Sequence, residues 1–151
     1  MQLLLYTDYA LRVLIYAATH PGGPVAAGAI AGAYGISTDH VAKAAKALTR
    51  RGLLQAARGV GGGVWLAKAP REIRIGDVVR LFERGRGAVA CLQAGGPPCK
   101  IQPACSLRRA FGRAEDAFYR ELDAVTLEDV VSGSAGIVRL LAPRRPVLPR
   151  A

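Results

Sequence analysis

The chain has 151 residues, of which 51% are hydrophobic and 21% charged, with 21 Lys or Arg against 11 Asp or Glu. This composition suits a folded domain with a buried core and excludes a disordered or collagen-like chain. A formal net charge of +10 points either to a polyanionic partner, most simply nucleic acid, or to a surface that only maintains solubility.

The first segment, Leu3 to Thr19, is expected to be helical. Leu4, Leu11, Leu14, Ile15 and Ala18 share one face, and His20-Pro21-Gly22-Gly23 stops it. No basic stretch precedes its leucines and Asp8 interrupts them early, so no secretory signal is expected. The longest apolar stretch, Val13 to Ala18, is too short to cross a bilayer, so no membrane is expected. A cytoplasmic location follows as an expectation, and with it reduced thiols. Val25 reads as extended, and Ala27 to Tyr34 as a small helix ended by Gly35. Ser37 is placed to cap a helix from Thr38 to Arg51, which Gly52 closes. The period then changes. Leu53 to Arg58 and Val64 to Ala67 read as two strands around Gly59-Val60-Gly61-Gly62-Gly63, a hairpin with Trp65 packed beneath it. A helix is expected near Gly76, then a loop from Arg84 to Ala104, then a long amphipathic helix from Ser106 to Asp123. Leu107, Ala110, Phe111, Ala114, Phe118 and Leu122 recur along it at helical spacing. Thr126-Leu127-Glu128-Asp129 resembles a capping box opening a last short helix. From Ser132 onward Gly, Pro and Arg accumulate, and residues 132–151 read as a flexible tail.

Helix, short helix, tight turn, longer helix and hairpin is the order of a winged helix-turn-helix, so the fold class is mainly α with a small β-hairpin wing. Residues 1–70 form the DNA-reading unit in this scheme, carrying seven Lys or Arg against only Asp8 and Asp39. Residues 71–131 then hold the linker helix, the cysteine loop and the long helix. The third helix enters the major groove with its first turn nearest the bases. Ser37, Thr38, Asp39, His40 and Lys43 are candidate groove contacts; His40 alternatively faces solvent. Lys46, Arg50 and Arg51 suit phosphates or solvent. Arg58, Gly61 and Gly62 form a wing tip able to lie against a minor groove. The glycine run lacks the Gly-Lys-Ser/Thr ending of a phosphate loop.

The only three cysteines fall in one loop as Cys91-x7-Cys99-x5-Cys105. An odd number cannot all pair within the chain, and a reducing compartment disfavours disulfides. Structural zinc wants four protein ligands and usually a C-x2-C knuckle, neither of which is present. An iron–sulfur cluster tolerates wider spacing and a non-cysteine fourth ligand. No His follows Cys105, so that ligand is a carboxylate, a distant or partner-chain group, or a small molecule.

Four blocks carry a more specific resemblance: Leu5-Tyr6-Thr7-Asp8-Tyr9-Ala10-Leu11-Arg12, Arg58-Gly59-Val60-Gly61-Gly62-Gly63-Val64-Trp65-Leu66-Ala67, Ile73-Arg74-Ile75-Gly76-Asp77-Val78-Val79-Arg80 and Cys99-Lys100-Ile101-Gln102-Pro103-Ala104-Cys105-Ser106-Leu107. Up to about Val131 the chain resembles the winged-helix iron–sulfur regulators of the NsrR and IscR types, and within them the nitric-oxide-sensing NsrR repressors. The resemblance implies a homodimer joined through a long dimerisation helix from Ser106 to Asp123. It implies that Cys91, Cys99 and Cys105 ligate an iron–sulfur cluster, 4Fe–4S ahead of 2Fe–2S, with Asp8 completing the coordination across the dimer. IscR-type proteins use a His three residues after the last Cys, where this chain has Arg108. The seven-residue gap after Cys91 is longer than the five usual in NsrR-type proteins.

The function expected is therefore a non-enzymatic transcriptional repressor that binds a double-stranded DNA operator, with nitric oxide as its signal. The alternatives are an iron-supply, cluster-supply or redox sensor of the same fold, and a structural-zinc nucleic-acid-binding protein.

Overall fold

The computed structural model describes residues 2–132 and 135–141. In chain order the elements are α1 (Leu5–Thr19), α2 (Ala27–Tyr34), α3 (Thr38–Arg50), β1 (Leu54–Ala57), β2 (Gly63–Leu66), α4 (Ile75–Glu83), α5 (Ser106–Asp123), α6 (Leu127–Ser132) and α7 (Ala135–Leu141). Single 3-10 turns occupy Pro70–Glu72, Ala90–Leu92 and Gln102–Ala104. The architecture is the expected one, mostly helical with a two-stranded antiparallel wing.

Helix α1 is the hub. Its Ala10, Val13, Leu14, Tyr16 and Ala17 are buried, and α2 and α3 pack on it through Ile30, Ala31, Val41, Ala44, Ala45 and Leu48. Ile73, Ile75, Val78, Val79 and Leu127, from α4, α6 and the segment before α4, belong to the same core. Burying an aliphatic side chain of this size contributes about 1.5–3 kcal/mol, so these contacts hold the linker region against α1.

Local chemistry sets the angle between α2 and α3. Gly35 closes α2 with φ 64°, in the left-handed region that a residue with a Cβ enters at a cost. Ser37 Oγ then accepts the Asp39 N–H at 3.2 Å and caps α3. In the wing, Leu54 pairs with Leu66 and Ala57 with Gly63, and Val25 adds a bridge to Val64 through two hydrogen bonds of 2.9 Å.

Helices α4 and α5 are joined at one end. Arg80 donates two hydrogen bonds of 2.5 Å to the Asp123 carboxylate, and its guanidinium lies 4.6 Å from the centre of the Tyr119 ring. The bidentate pair holds the Asp123 carboxyl below the usual carboxylate range. Arg74 donates to the Asp123 carbonyl at 2.7 Å. The capping box forms with Asp in place of Glu. Asp129 accepts the Thr126 N–H at 2.8 Å, and Thr126 Oγ1 accepts the Asp129 N–H at 3.1 Å.

Some boundaries differ from expectation for visible reasons. Helix α1 starts at Leu5 rather than Leu3, because Leu4 is non-helical and its N–H donates to Glu83 at 2.7 Å. Helix α4 starts at Ile75, since Arg74 is extended and bridged to Thr126. The tail expected to be flexible from 132 carries α7, whose Leu141 is buried in the core four residues beyond the partly buried Ile137. Residues 142–151, the rest of that expected tail, lie outside the described residues. No described helix is long and apolar enough to cross a membrane.

Candidate functional site

Helix α3 has two opposite faces. Val41, Ala44, Ala45 and Leu48 are buried, while Thr38, Asp39, His40, Lys43, Lys46 and Arg50 are exposed, as is the capping Ser37. Every residue expected at a DNA groove is thus free of the core. Ser37 has a second duty as the cap, so its hydroxyl is already engaged by Asp39. At the wing tip Arg58 and Gly61 are exposed and Val60 is fully so. Gly62 is only half-exposed and has a structural reason to be glycine. A Cβ there would stand 2.5 Å from the Ala57 carbonyl oxygen and 2.9 Å from that of Gly59. Its close backbone approach closes the hairpin.

Helix α1 braces the first turns of α3. Tyr9 stacks on His40 with ring centres 5.2 Å apart, and Tyr6 donates its hydroxyl to the Lys43 carbonyl at 2.7 Å. On the same helix Asp8 accepts from Arg12 Nε at 2.8 Å, and the Arg12 guanidinium lies 5.4 Å from the Tyr34 ring centre. Burial pushes the Tyr34 phenol up to about 12, with Arg12 working in the opposite direction. The sequence reading missed these roles of Tyr6, Tyr9 and Arg12. Only Arg12 had a local signal, its spacing of four residues from Asp8, at which opposite charges meet on a helix.

The cysteines are free thiols in the segment between α4 and α5. Cys99 and Cys105 line one cleft with Pro98, Gln102, Pro103, Arg108 and Arg109, a space of about 450 Å³. Cys105 is the residue before α5, and its Sγ accepts the Arg108 N–H at 3.4 Å. Cys91 sits in the 3-10 turn Ala90–Leu92, outside that lining, and Asp8 is on α1. Among the described residues no three His, Cys, Asp or Glu side chains gather into a metal-binding group. The structure thus brings together two of the four expected ligands within one chain.

The donor chemistry nonetheless suits an iron–sulfur group. The cleft offers two soft sulfur donors, one of them on Cys105, the residue before α5. Arg108 Nε, shielded from solvent in the same cleft, has no hydrogen-bond partner. Between Glu83 and Glu115 the chain has no acid and six cations: Arg84, Arg86, Lys100, Arg108, Arg109 and Arg113. A segment so charged accommodates an anionic assembly of thiolates.

Helix α5 leaves this cleft with no buried residue. Phe118, Tyr119 and Leu122 near its end rest against the core. Nearer its start Leu107 is 62% exposed, and Ala110 and Ala114 are exposed too. The apolar stripe is covered at one end and bare at the other.

Comparison with known proteins agrees with this geometry. The HTH-type transcriptional regulator NsrR of Geobacillus kaustophilus is 42% identical over 146 residues, covering 96% of this chain and 99% of that protein. The global cysteine regulator CymR of B. subtilis is 28% identical, with a TM-score of 0.72 over 89% of this chain and 98% of that one. The T. potens IscR structure has a TM-score of 0.68 at 23% identity over 88% of both chains, and bears on the fold alone. Residues 5–133 match the Rrf2 family, described as an iron-dependent transcriptional regulator. With the winged helix, the thiol loop and these likenesses together, the chain belongs to the Rrf2 family of transcriptional regulators.

Proposed function

We propose that this DNA-binding transcriptional repressor acts as a homodimer, and that an iron–sulfur cluster held by Cys91, Cys99, Cys105 and Asp8 makes it responsive to nitric oxide. The observation that carries the reading is the course of α5. It begins at the thiol cleft, presents a bare apolar stripe, and ends locked to α4 through Asp123 and Arg80. A second copy covering that stripe forms the dimer and brings its own Asp8 toward the cleft. Asp8 has 41% side-chain exposure, which leaves it open to such an approach.

A bound cluster would supply iron that nitric oxide can attack. The protein's part is to tie that event to the distance between two copies of α3. Cys91, Cys99 and Cys105 tether the segment between α4 and α5, and carboxylate is a harder donor than thiolate, so the Asp8 position is the weakest of the four. Asp8, if it holds the group from the other protomer, would tie α1 of that protomer to the cleft, and that tie would be lost with the ligation. The same α1 braces His40 and Lys43 through Tyr9 and Tyr6. Two half-sites lie about 34–36 Å apart on DNA, so a small change in the separation or tilt of the α3 pair costs operator affinity.

Anaerobic purification with iron and sulfide assay and a visible spectrum tests the cofactor assignment. The expected result is iron and sulfide with cluster absorbance; a colourless chain with stoichiometric zinc overturns it and favours the structural-zinc alternative. Asp8→Ala is expected to leave a cluster with an altered spectrum and faster decay in air. A spectrum identical to wild type would show that Asp8 is no ligand.

The DNA assignment has its own test. Lys46→Ala is expected to weaken binding about equally on all sequences and to reduce the slope of log affinity against log salt by about 0.9 for each of the two copies in the dimer. Thr38→Ala is expected instead to change the ranking of operator variants. Equal losses from both substitutions on every sequence would contradict the placement of the first turn of α3 at the bases.

A further inference from the structure

The cleft beside Cys99 and Cys105 contains a buried donor that no described residue satisfies. Arg108 Nε is shielded from solvent and has no hydrogen-bond partner. An N–H in that condition is costly, and a guanidinium nitrogen can only donate, so the missing partner is an acceptor. Ion pairing with an acid does not answer the need. No carboxylate lines the cleft, and no acid occurs between Glu83 and Glu115. The side-chain acceptors lining the cleft are the two sulfur atoms and the Gln102 amide, and one sulfur already takes the Arg108 main-chain N–H at 3.4 Å.

We propose that Arg108 contacts the iron–sulfur group through its side chain, its Nε–H donating to a sulfur of the assembly built on Cys99 and Cys105. This inference rests on the cluster reading above and adds a residue to it. Arg108 does not ligate iron, since its guanidinium stays protonated and has no lone pair to give. It would supply a hydrogen bond and a positive charge to an anionic group, beside Arg109, the other cation lining the cleft. Hydrogen bonds to cluster sulfur withdraw electron density from it and raise the reduction potential. Partners of this kind also hold ligands in place, and their loss typically costs about 10–100-fold in metal retention.

The test compares the full-length chain, loaded anaerobically with iron and sulfide, with Arg108→Met and Arg108→Lys. Methionine keeps much of the apolar stem that packs in the cleft and removes both donor and charge. Lysine keeps the charge and loses the Nε–H. For Arg108→Met the expected results are a lower reduction potential and loss of iron to a chelator about tenfold faster than wild type. Arg108→Lys is expected to fall between the two in potential while still losing iron faster than wild type. Melting of the unloaded chains reads any packing effect, and if Arg108→Met melts lower, Arg108→Lys decides. Variants matching wild type in both potential and iron release overturn the inference and leave the cluster reading standing. A wild-type chain that takes up neither iron nor sulfide overturns both.

Discussion

Cys99→Ala is expected to abolish cluster binding and, with it, any effect of nitric oxide on the repressor. Cys99 is exposed and shares a cleft with Cys105, while Cys91 lies outside that lining. Removing the central thiolate leaves two sulfur ligands separated by thirteen residues and a carboxylate from the other protomer. Metal affinity rests on the full ligand set acting together, so losing one thiolate is expected to remove the group rather than weaken it slightly. The expected measurements are no visible absorbance, iron and sulfide at background, and DNA affinity that no longer changes on exposure to nitric oxide. Wild-type iron and sulfide content in Cys99→Ala would remove this residue from the ligand set. The fold itself is expected to survive, because Cys99 is exposed and absent from the core.

Glu83→Leu has the opposite profile, a large loss of stability at a position outside the lining of the thiol cleft. Glu83 is 6% exposed at the end of α4, and its Oε1 accepts both the Leu4 N–H at 2.7 Å and the Thr7 hydroxyl. Its Oε2 lies 3.3 Å from Arg86 Nε. One carboxylate therefore fastens the start of α1 to α4 and to Arg86 in the loop beyond it. Leucine leaves the Leu4 N–H and the fully buried Thr7 hydroxyl without an acceptor, each costing about 1–3 kcal/mol, partly offset by relief of a buried charge. A net loss of about 3 kcal/mol is expected, a fall in melting temperature of roughly 6–12 °C for a chain this long. Glu83→Gln keeps one acceptor oxygen and is expected to lose less than half as much. A melting temperature unchanged in Glu83→Leu would show that the carboxylate only compensates its own desolvation.

These two residues also mark what could and could not be read from the chain. Helix α5 was legible to the residue, because Leu107, Phe111, Phe118 and Leu122 repeat at helical spacing and a loop rich in Gly and Pro precedes them. The turn into α3 was legible because Gly35 and Ser37 have local physical reasons to be where they are. The capping box of α6 was legible even with Asp replacing Glu. Glu83 was not. Its partners stand 79 and 76 residues away and include a main-chain N–H, which carries no side-chain signature. The Arg80–Asp123 lock is likewise long-range, 43 residues apart. Gly62 was read as a DNA contact from its place in a glycine run. Its close approach to the Ala57 and Gly59 carbonyls emerges only once the hairpin is folded. The short helix α7 was overlooked because Gly, Pro and Arg outweigh the Ile137 and Leu141 spacing in composition. Of the site, the three cysteines were legible at once. Arg108 was noted only as a departure from another ligand pattern, since an unpaired buried nitrogen is a property of a cleft.

The coupling proposed here is between the state of the group held at the thiols and the affinity of α3 for DNA. Its most direct measurement is operator binding by the anaerobically loaded dimer, followed by fluorescence anisotropy while nitric oxide is added in steps and absorbance is recorded on the same sample. Cluster absorbance and operator affinity are expected to fall together, and the apo chain to bind as weakly as the treated one. Operator binding that persists unchanged after the absorbance has gone would contradict it.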